Sequence, residues 1–212
     1  MNISKFFRVL YIKTTNFTKK YQSRDKKLIN FYKIWSYCYD ISISLDPAYK
    51  NELKKMINLT VKDSDITLDI GCGTGISTIY ASKIANEVIG IDLSSDMIYK
   101  LKKKINKKNI KNIKLINGKV PEKLPQNLKF NSIISSFAIV HFTPEDRKKL
   151  YKQIFDLLLN KGKTGLFLAQ GEIAPSFETK DEIVNNLKES GFKNIKLFDV
   201  ADIYRIVIAE KL

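Results

Sequence analysis

The residues with the densest chemical content run Leu68-Asp69-Ile70-Gly71-Cys72-Gly73-Thr74-Gly75. Glycine at every second position lets a chain turn sharply and lets a ligand lie directly against main-chain N–H groups. Seventeen residues beyond Gly75 stands Asp92. An acid there, at the end of a second strand, can accept hydrogen bonds from both ribose hydroxyls of an adenosine-containing ligand. His141 is the only histidine, and histidine is the side chain most often used to move a proton in catalysis. Cys38 and Cys72 have neither a disulfide framework nor metal-ligand spacing, so no metal site is expected.

These residues need a scaffold, and the hydropathy pattern supplies one. Ile66–Ile70 reads as a strand entering the glycine turn, followed by Ile76, Ile79, Tyr80 and Ile84 at helical spacing. Glu87–Ile91 is a second strand, and Ser94 is an N-cap for a helix facing inward through Met97, Ile98, Leu101 and Ile105. Strands follow near Ile113–Ile116 and Ser132–Ser136. Thr143-Pro144 opens a helix that buries Leu150, Ile154, Leu157 and Leu158, and a fifth strand covers Thr164–Ala169. Thr179 and Glu182 form a capping box for a helix that Gly191 ends. Asn194–Asp199 and Ile203–Ala209 close the chain as strands joined too tightly for a crossover helix, hence antiparallel.

Strand and helix alternate, which predicts an α/β fold with a mostly parallel sheet covered on both faces. Before it, residues 1–24 read as a basic N-terminal arm and residues 25–58 as a helical cap, within a single domain spanning 25–212. Leu28–Ile43 is rich in aromatic residues, and Asp46-Pro47 is a helix start, with Leu53, Met56 and Ile57 on one apolar face.

A dinucleotide-binding dehydrogenase needs glycine at the first, third and sixth positions of such a turn. Here the sixth position is Ile76, and the third glycine falls at Gly75. Asp69-x-Gly71-x-Gly73-x-Gly75 followed by Asp92 instead resembles the class I S-adenosylmethionine-dependent methyltransferases, from about Phe31 to the C-terminus. The resemblance implies a Rossmann-like, doubly wound sheet of seven strands with an antiparallel C-terminal strand and N-terminal helices forming a lid. It implies S-adenosylmethionine as cofactor: Asp69, Gly71, Cys72, Gly73 and Gly75 at the methionine end, and Asp92 with Leu93 at the ribose. Met97, Lys119 and Val120 would lie at the adenine, with Ser136 also at the cofactor. Ser135 to Phe142, with His141, resembles the family's segment after strand four, and Asn160-Lys161-Gly162 its turn before strand five. Phe31 to Tyr39-Asp40 resembles the aromatic N-terminal helix of the small-molecule and quinone-type branch.

One position departs from the family. After strand three the usual pair is Gly-Asp, but here it is Gly118-Lys119, and lysine cannot accept a hydrogen bond from adenine. Backbone groups near Lys119 and Val120 are the expected replacement.

In this chemistry the cofactor carries the reactive methyl and the protein aligns an acceptor in line with it. His141 is the candidate base and Tyr39 the second catalytic candidate, with Asp40 beside it. Tyr32 and Trp35 are candidates for lining the acceptor pocket. The stretch from Gln170 to Glu178 leaves little room for a specificity insertion. The segment after strand four lacks the Asn/Asp-Pro-Pro-aromatic run of base-amine methyltransferases and the cysteine of cytosine-carbon methyltransferases. A small-molecule acceptor is therefore the expectation. RNA methylation and a cofactor-binding subunit without activity are the alternatives.

The net charge of +15 clusters in the first thirty residues and from Lys100 to Lys114. That admits weak contact with RNA or an anionic membrane surface. Nearly all of it is lysine rather than arginine, the residue of bidentate phosphate grips, which favours solvated helix faces. No apolar run approaches the ~20 residues of a membrane span, and no secretory signal is legible, so a cytoplasmic protein is expected.

Overall fold

A computed structural model describes residues 40, 46–169, 178–201 and 203–212. The arm, the aromatic helix with Tyr39, and residues 170–177 lie outside the described residues.

The described chain runs α1 (Pro47–Thr60), β1 (Ile66–Ile70), α2 (Ile76–Ala81), β2 (Glu87–Asp92), α3 (Ser95–Lys107) and β3 (Ile113–Asn117). It continues with β4 (Phe130–Ser136), a 3-10 turn (Ile139–His141), α4 (Pro144–Leu157), β5 (Leu158–Ala169), α5 (Lys180–Glu189), β6 (Lys193–Val200) and β7 (Tyr204–Glu210). The seven strands form one sheet in the order β3-β2-β1-β4-β5-β7-β6. β1 to β5 are mutually parallel along that order, and β7 runs antiparallel to both β5 and β6. The order reverses between β1 and β4, and the crevice beyond the strand ends at such a switch point is where open α/β sheets bind ligands.

Local caps explain most helix starts. Asp46, Ser94, Thr143 and Thr179 each accept a hydrogen bond from a backbone N–H three residues on. The Thr179–Glu182 capping box is complete in both directions. Apolar side chains on the two sheet faces form separate cores. One gathers Leu53, Met56, Phe167 and Tyr204 on the α1 side, and the other gathers Leu68, Ile133, Leu150, Leu166 and Leu187 against α4 and α5. Fully burying a side chain of this size stabilises by about 1.5–3 kcal/mol, so both faces must be covered.

Four sequence expectations shift. α4 ends at Leu157, and Leu158 is the first residue of β5, in extended conformation. Leu158 is buried, and apolar spacing alone does not separate a last helical residue from a first strand residue. Asn160-Lys161-Gly162 accordingly lies inside β5, where the pairing with β4 shifts register, and not before it. α2 stops at Ala81, short of Ile84, and its deepest residues are Ser77, Thr78 and Ala81 rather than the isoleucines. Those hydroxyls face inward for a reason given below. α1, read as part of a lid, is a wall of the core: Thr60 and Met56 lie so close over Gly165 that a Cβ there would meet them at 2.2 and 2.5 Å. No described helix is long and apolar enough to cross a membrane.

Candidate active site

The glycine turn is built from β1, β2 and Asp92 together. Gly71 and Cys72 donate their N–H groups to the Ile91 carbonyl at 2.8 and 3.1 Å, and Gly75 N–H bonds the Cys72 carbonyl at 2.9 Å. Gly71, Gly73 and Gly75 all have positive φ, of 71°, 53° and 91°. A side chain in that region costs about 1–2 kcal/mol. Gly71 and Gly73 need glycine in different ways. A Cβ on Gly71 would overlap Ala138 Cβ at 2.2 Å, whereas one on Gly73 would meet nothing nearer than the Gly71 oxygen at 4.0 Å. Among the described residues nothing fills the space over Gly73, and a ligand can approach the backbone there.

Asp92 binds this turn to α3. Its Oδ2 accepts from Gly73 N at 2.8 Å and its Oδ1 from Ser94 N at 2.8 Å. Each carboxylate oxygen keeps a second lone pair for another donor. Burial pushes the carboxyl pKa up, opposed by these two backbone bonds. Across the β2–β3 register Asp92 faces Asn117, whose amide donates to the carbonyls of Asp92 and Leu93 at 2.9 and 3.1 Å. Leu93 and Val120 are half-buried, Met97 is buried and Lys119 is exposed. The adenine-side candidates thus gather at the ends of β2 and β3.

Asp69 lies beneath the turn rather than on its surface, fully buried. Its Oδ2 accepts from the hydroxyls of Ser77 and Thr78, each at 2.7 Å, while Oδ1 has no hydrogen-bond partner among the described residues. Burial pushes its pKa up from 3.8 to about 6, against the two hydroxyl bonds. This explains the polar inner face of α2, because a buried carboxylate must be answered by donors. Apolar spacing carried no sign of it.

The carboxyl end of β4 carries the other candidates. Ser135 Oγ donates to the Ile70 carbonyl at 2.9 Å, tying β4 to β1. Ser136 Oγ and Tyr49 OH share a hydrogen bond of 2.9 Å, so α1 reaches the strand end. Phe137 then takes a positive φ of 58° and is buried among Tyr49, Phe167 and Tyr204, at ring centroids 5.5–5.8 Å away. Tyr204 OH also donates to Asp46, which pins the start of α1 to β7. The 3-10 turn delivers His141 half-buried beside the end of β4. Tyr39, the second catalytic candidate, is outside the described residues.

Several residues missed by the sequence reading belong to this end of the sheet. Thr74, inside the turn, bonds Asp40 and Lys104. Tyr49 and Asn117 brace β4 and β2 as described. Arg147 in the first turn of α4 pairs with Glu178 at 3.1 Å, both nearly inaccessible to solvent. Tyr151 OH and Asn186 Nδ2 complete the Glu178 carboxylate at 2.8 and 2.6 Å. The proximity of the hydroxyls of Ser77 and Thr78 to the glycine turn was a visible signal. The others pair residues far apart in the chain and leave none.

Comparison with known proteins agrees with this geometry. A family model described as a methyltransferase domain matches residues 67–162, from within β1 into β5. The chain is 27% identical over 176 residues to an uncharacterized methyltransferase of Oceanobacillus iheyensis, covering 79% of this chain and 78% of that protein. It is 30% identical over 183 residues to an uncharacterized protein of Methanocaldococcus jannaschii, covering 83% of this chain and 63% of the other. In fold it matches the magnesium protoporphyrin IX methyltransferase of Synechocystis PCC 6803, solved with bound S-adenosylmethionine. The TM-score is 0.71 over 92% of this chain and 100% of that one, at 14% identity. The matched domain spans the Asp69 to Gly75 turn, Asp92 and the end of β4, so residues 67–162 carry a methyltransferase domain similar to those of the class I S-adenosylmethionine-dependent methyltransferases.

Proposed function

We propose that this methyltransferase methylates a small-molecule acceptor, with S-adenosylmethionine held between the glycine turn and Asp92. The observation that carries the cofactor reading is the double engagement of Asp92. Both of its oxygens are fixed by backbone N–H groups of the turn and of α3, each with one lone pair left for a ribose hydroxyl. The open space over Gly73 fits the same occupant. Asp69 Oδ1, buried with no hydrogen-bond partner among the described residues, adds negative potential under the turn and suits a cationic ligand.

When bound, S-adenosylmethionine supplies an electrophilic methyl on its sulfonium. What the chain contributes is placement. The turn and Asp92 would hold the cofactor, with Ser136 at the end of β4 and Ala138 just beyond it, against Gly71. Holding an acceptor in line with the methyl contributes on the order of 7–11 kcal/mol to lowering a barrier of this kind. His141, on the 3-10 turn after β4, takes the proton that an acceptor O–H or N–H gives up. Met97 and the backbone at Lys119 and Val120 take the adenine, in place of the missing acid.

Phe137 supports the small-molecule acceptor. Its ring is buried in the aromatic cluster, so Phe137 itself offers no exposed face on which a flipped nucleobase could stack. The first test is calorimetric titration of the wild type and Asp92→Ala with S-adenosylmethionine and S-adenosylhomocysteine. Micromolar binding that Asp92→Ala abolishes supports the cofactor site and leads to acceptor screens of small molecules and RNA. Pure, folded wild type that binds neither ligand overturns it, and methylation of RNA alone overturns the acceptor class.

A further inference from the structure

Thr74 stands between Gly73 and Gly75, so whatever holds Thr74 holds the turn. Three bonds do so, and they close a ring. Thr74 Oγ1 donates to Asp40 Oδ1 at 2.6 Å, Lys104 Nζ donates to the Thr74 carbonyl at 2.9 Å, and the same Nζ pairs with Asp40 Oδ2 at 2.7 Å. The ring joins three separate points of the chain: Asp40, the turn through Thr74, and the third turn of α3 through Lys104.

The peptide between Thr74 and Gly75 shows what this does. Its carbonyl is held by Lys104 and its N–H by the Cys72 carbonyl at 2.9 Å. With both ends engaged the peptide plane cannot rotate, and the neighbouring N–H of Gly73 stays aimed at Asp92. Without the ammonium, only the Gly75 N–H end is held among the described residues, and the freedom of Gly75 about φ eases a flip of that peptide. α3 carries five lysines, of which Lys102, Lys103 and Lys107 are exposed. Lys104 instead turns inward, its side chain 30% accessible.

We propose that Lys104 is a positioning residue for the cofactor: by joining Asp40 to the Thr74 carbonyl it locks the glycine turn and holds Asp40 against it. This rests on the cofactor reading above, and the test separates the two. Lys104→Met, Asp40→Asn, their double variant and Lys104→Arg are compared with wild type, with Lys103→Met as a control for loss of charge on the same helix. The readouts are calorimetric dissociation constants for S-adenosylmethionine and S-adenosylhomocysteine, the thermal midpoint without ligand, and hydrogen exchange of the ligand-free peptide spanning 70–76.

Lys104→Met and Asp40→Asn are each expected to weaken binding about tenfold, the worth of a half-exposed ion pair with one charge-assisted hydrogen bond. The double variant should lose no more than either single one, because one ring is broken once. Exchange in the turn rises in all three, Lys104→Arg recovers part of the affinity, Lys103→Met stays near wild type, and the thermal midpoints of the ring variants fall by no more than about 5 °C. Wild-type affinity in Lys104→Met, while Asp92→Ala has lost binding, overturns the proposal and leaves the cofactor reading standing. Losses that multiply in the double variant overturn it as well. If wild type binds neither ligand, the cofactor reading fails and exchange decides: a turn that exchanges no faster in Lys104→Met overturns the lock.

Discussion

Replacing Gly71 by alanine puts a methyl group where the glycine turn meets the end of β4. Two costs arise from separate causes. The residue has a φ of +71°, and an L side chain there costs about 1–2 kcal/mol. The new Cβ would also stand 2.2 Å from Ala138 Cβ, against 3.4–4 Å for ordinary contact, so the turn and the strand end must part by about 1 Å or more. Overpacking of this kind costs about 1–3 kcal/mol, which brings Gly71→Ala to roughly 2–5 kcal/mol. Only the second cost depends on Ala138. Ala138→Gly alone loses about 0.5–1 kcal/mol of helical preference in a residue of right-handed backbone conformation. The pair Gly71→Ala with Ala138→Gly is therefore expected to cost about 1.5–3 kcal/mol, less than the two changes added together. Urea denaturation of the four proteins measures the coupling, and calorimetry with S-adenosylmethionine shows whether affinity returns with it. Additive losses in the double variant would show that the turn does not lean on the end of β4.

Three further outcomes follow from the site and its supports. The folded Asp69 carboxyl titrates near 6 instead of 3.8, so the folded protein keeps a proton that the unfolded chain has released. Stability therefore falls as pH rises between about 4 and 6, by about 3 kcal/mol at full extent, and Asp69→Asn should remove that slope; parallel stability curves for the two proteins would contradict it. Glu178→Gln removes the buried carboxylate that Arg147 pairs with at 3.1 Å and is expected to cost about 3–5 kcal/mol in urea denaturation. A loss below about 1 kcal/mol would mean the pair is wetter than its burial implies. His141→Gln should lower kcat with an O–H or N–H acceptor by roughly 100-fold or more while leaving cofactor affinity unchanged. Equal kcat in the two proteins would remove His141 from the chemistry.

The parts of the site that were legible in the amino-acid order share one property: their cause lies within a few residues. The capping bonds of Asp46, Ser94, Thr143 and Thr179 each span three positions, and the glycine spacing from Gly71 to Gly75 answers a demand of the backbone itself. Even the error at Leu158 is local in origin, since its side chain is buried whether the residue ends α4 or begins β5. α2 misled for a less local reason. Its inward hydroxyls serve Asp69 on a neighbouring strand, and hydropathy scores them as surface.

Sequence by itself thus determined most of the elements, the antiparallel ending and the glycine turn, because backbone geometry and side-chain periodicity act over a few residues. Only the tertiary structure decided which groups complete that turn. Gly71 meets Ala138, Tyr49 meets Ser136, Thr74 meets Asp40 and Lys104, and Arg147 meets Glu178. Each of these pairs joins chain segments some thirty or more residues apart, brought together by the strand order β3-β2-β1-β4-β5-β7-β6. Hydrogen bonds and contacts of that kind form only after the sheet has ordered the strand ends, so the individual residue types carry no local trace of them.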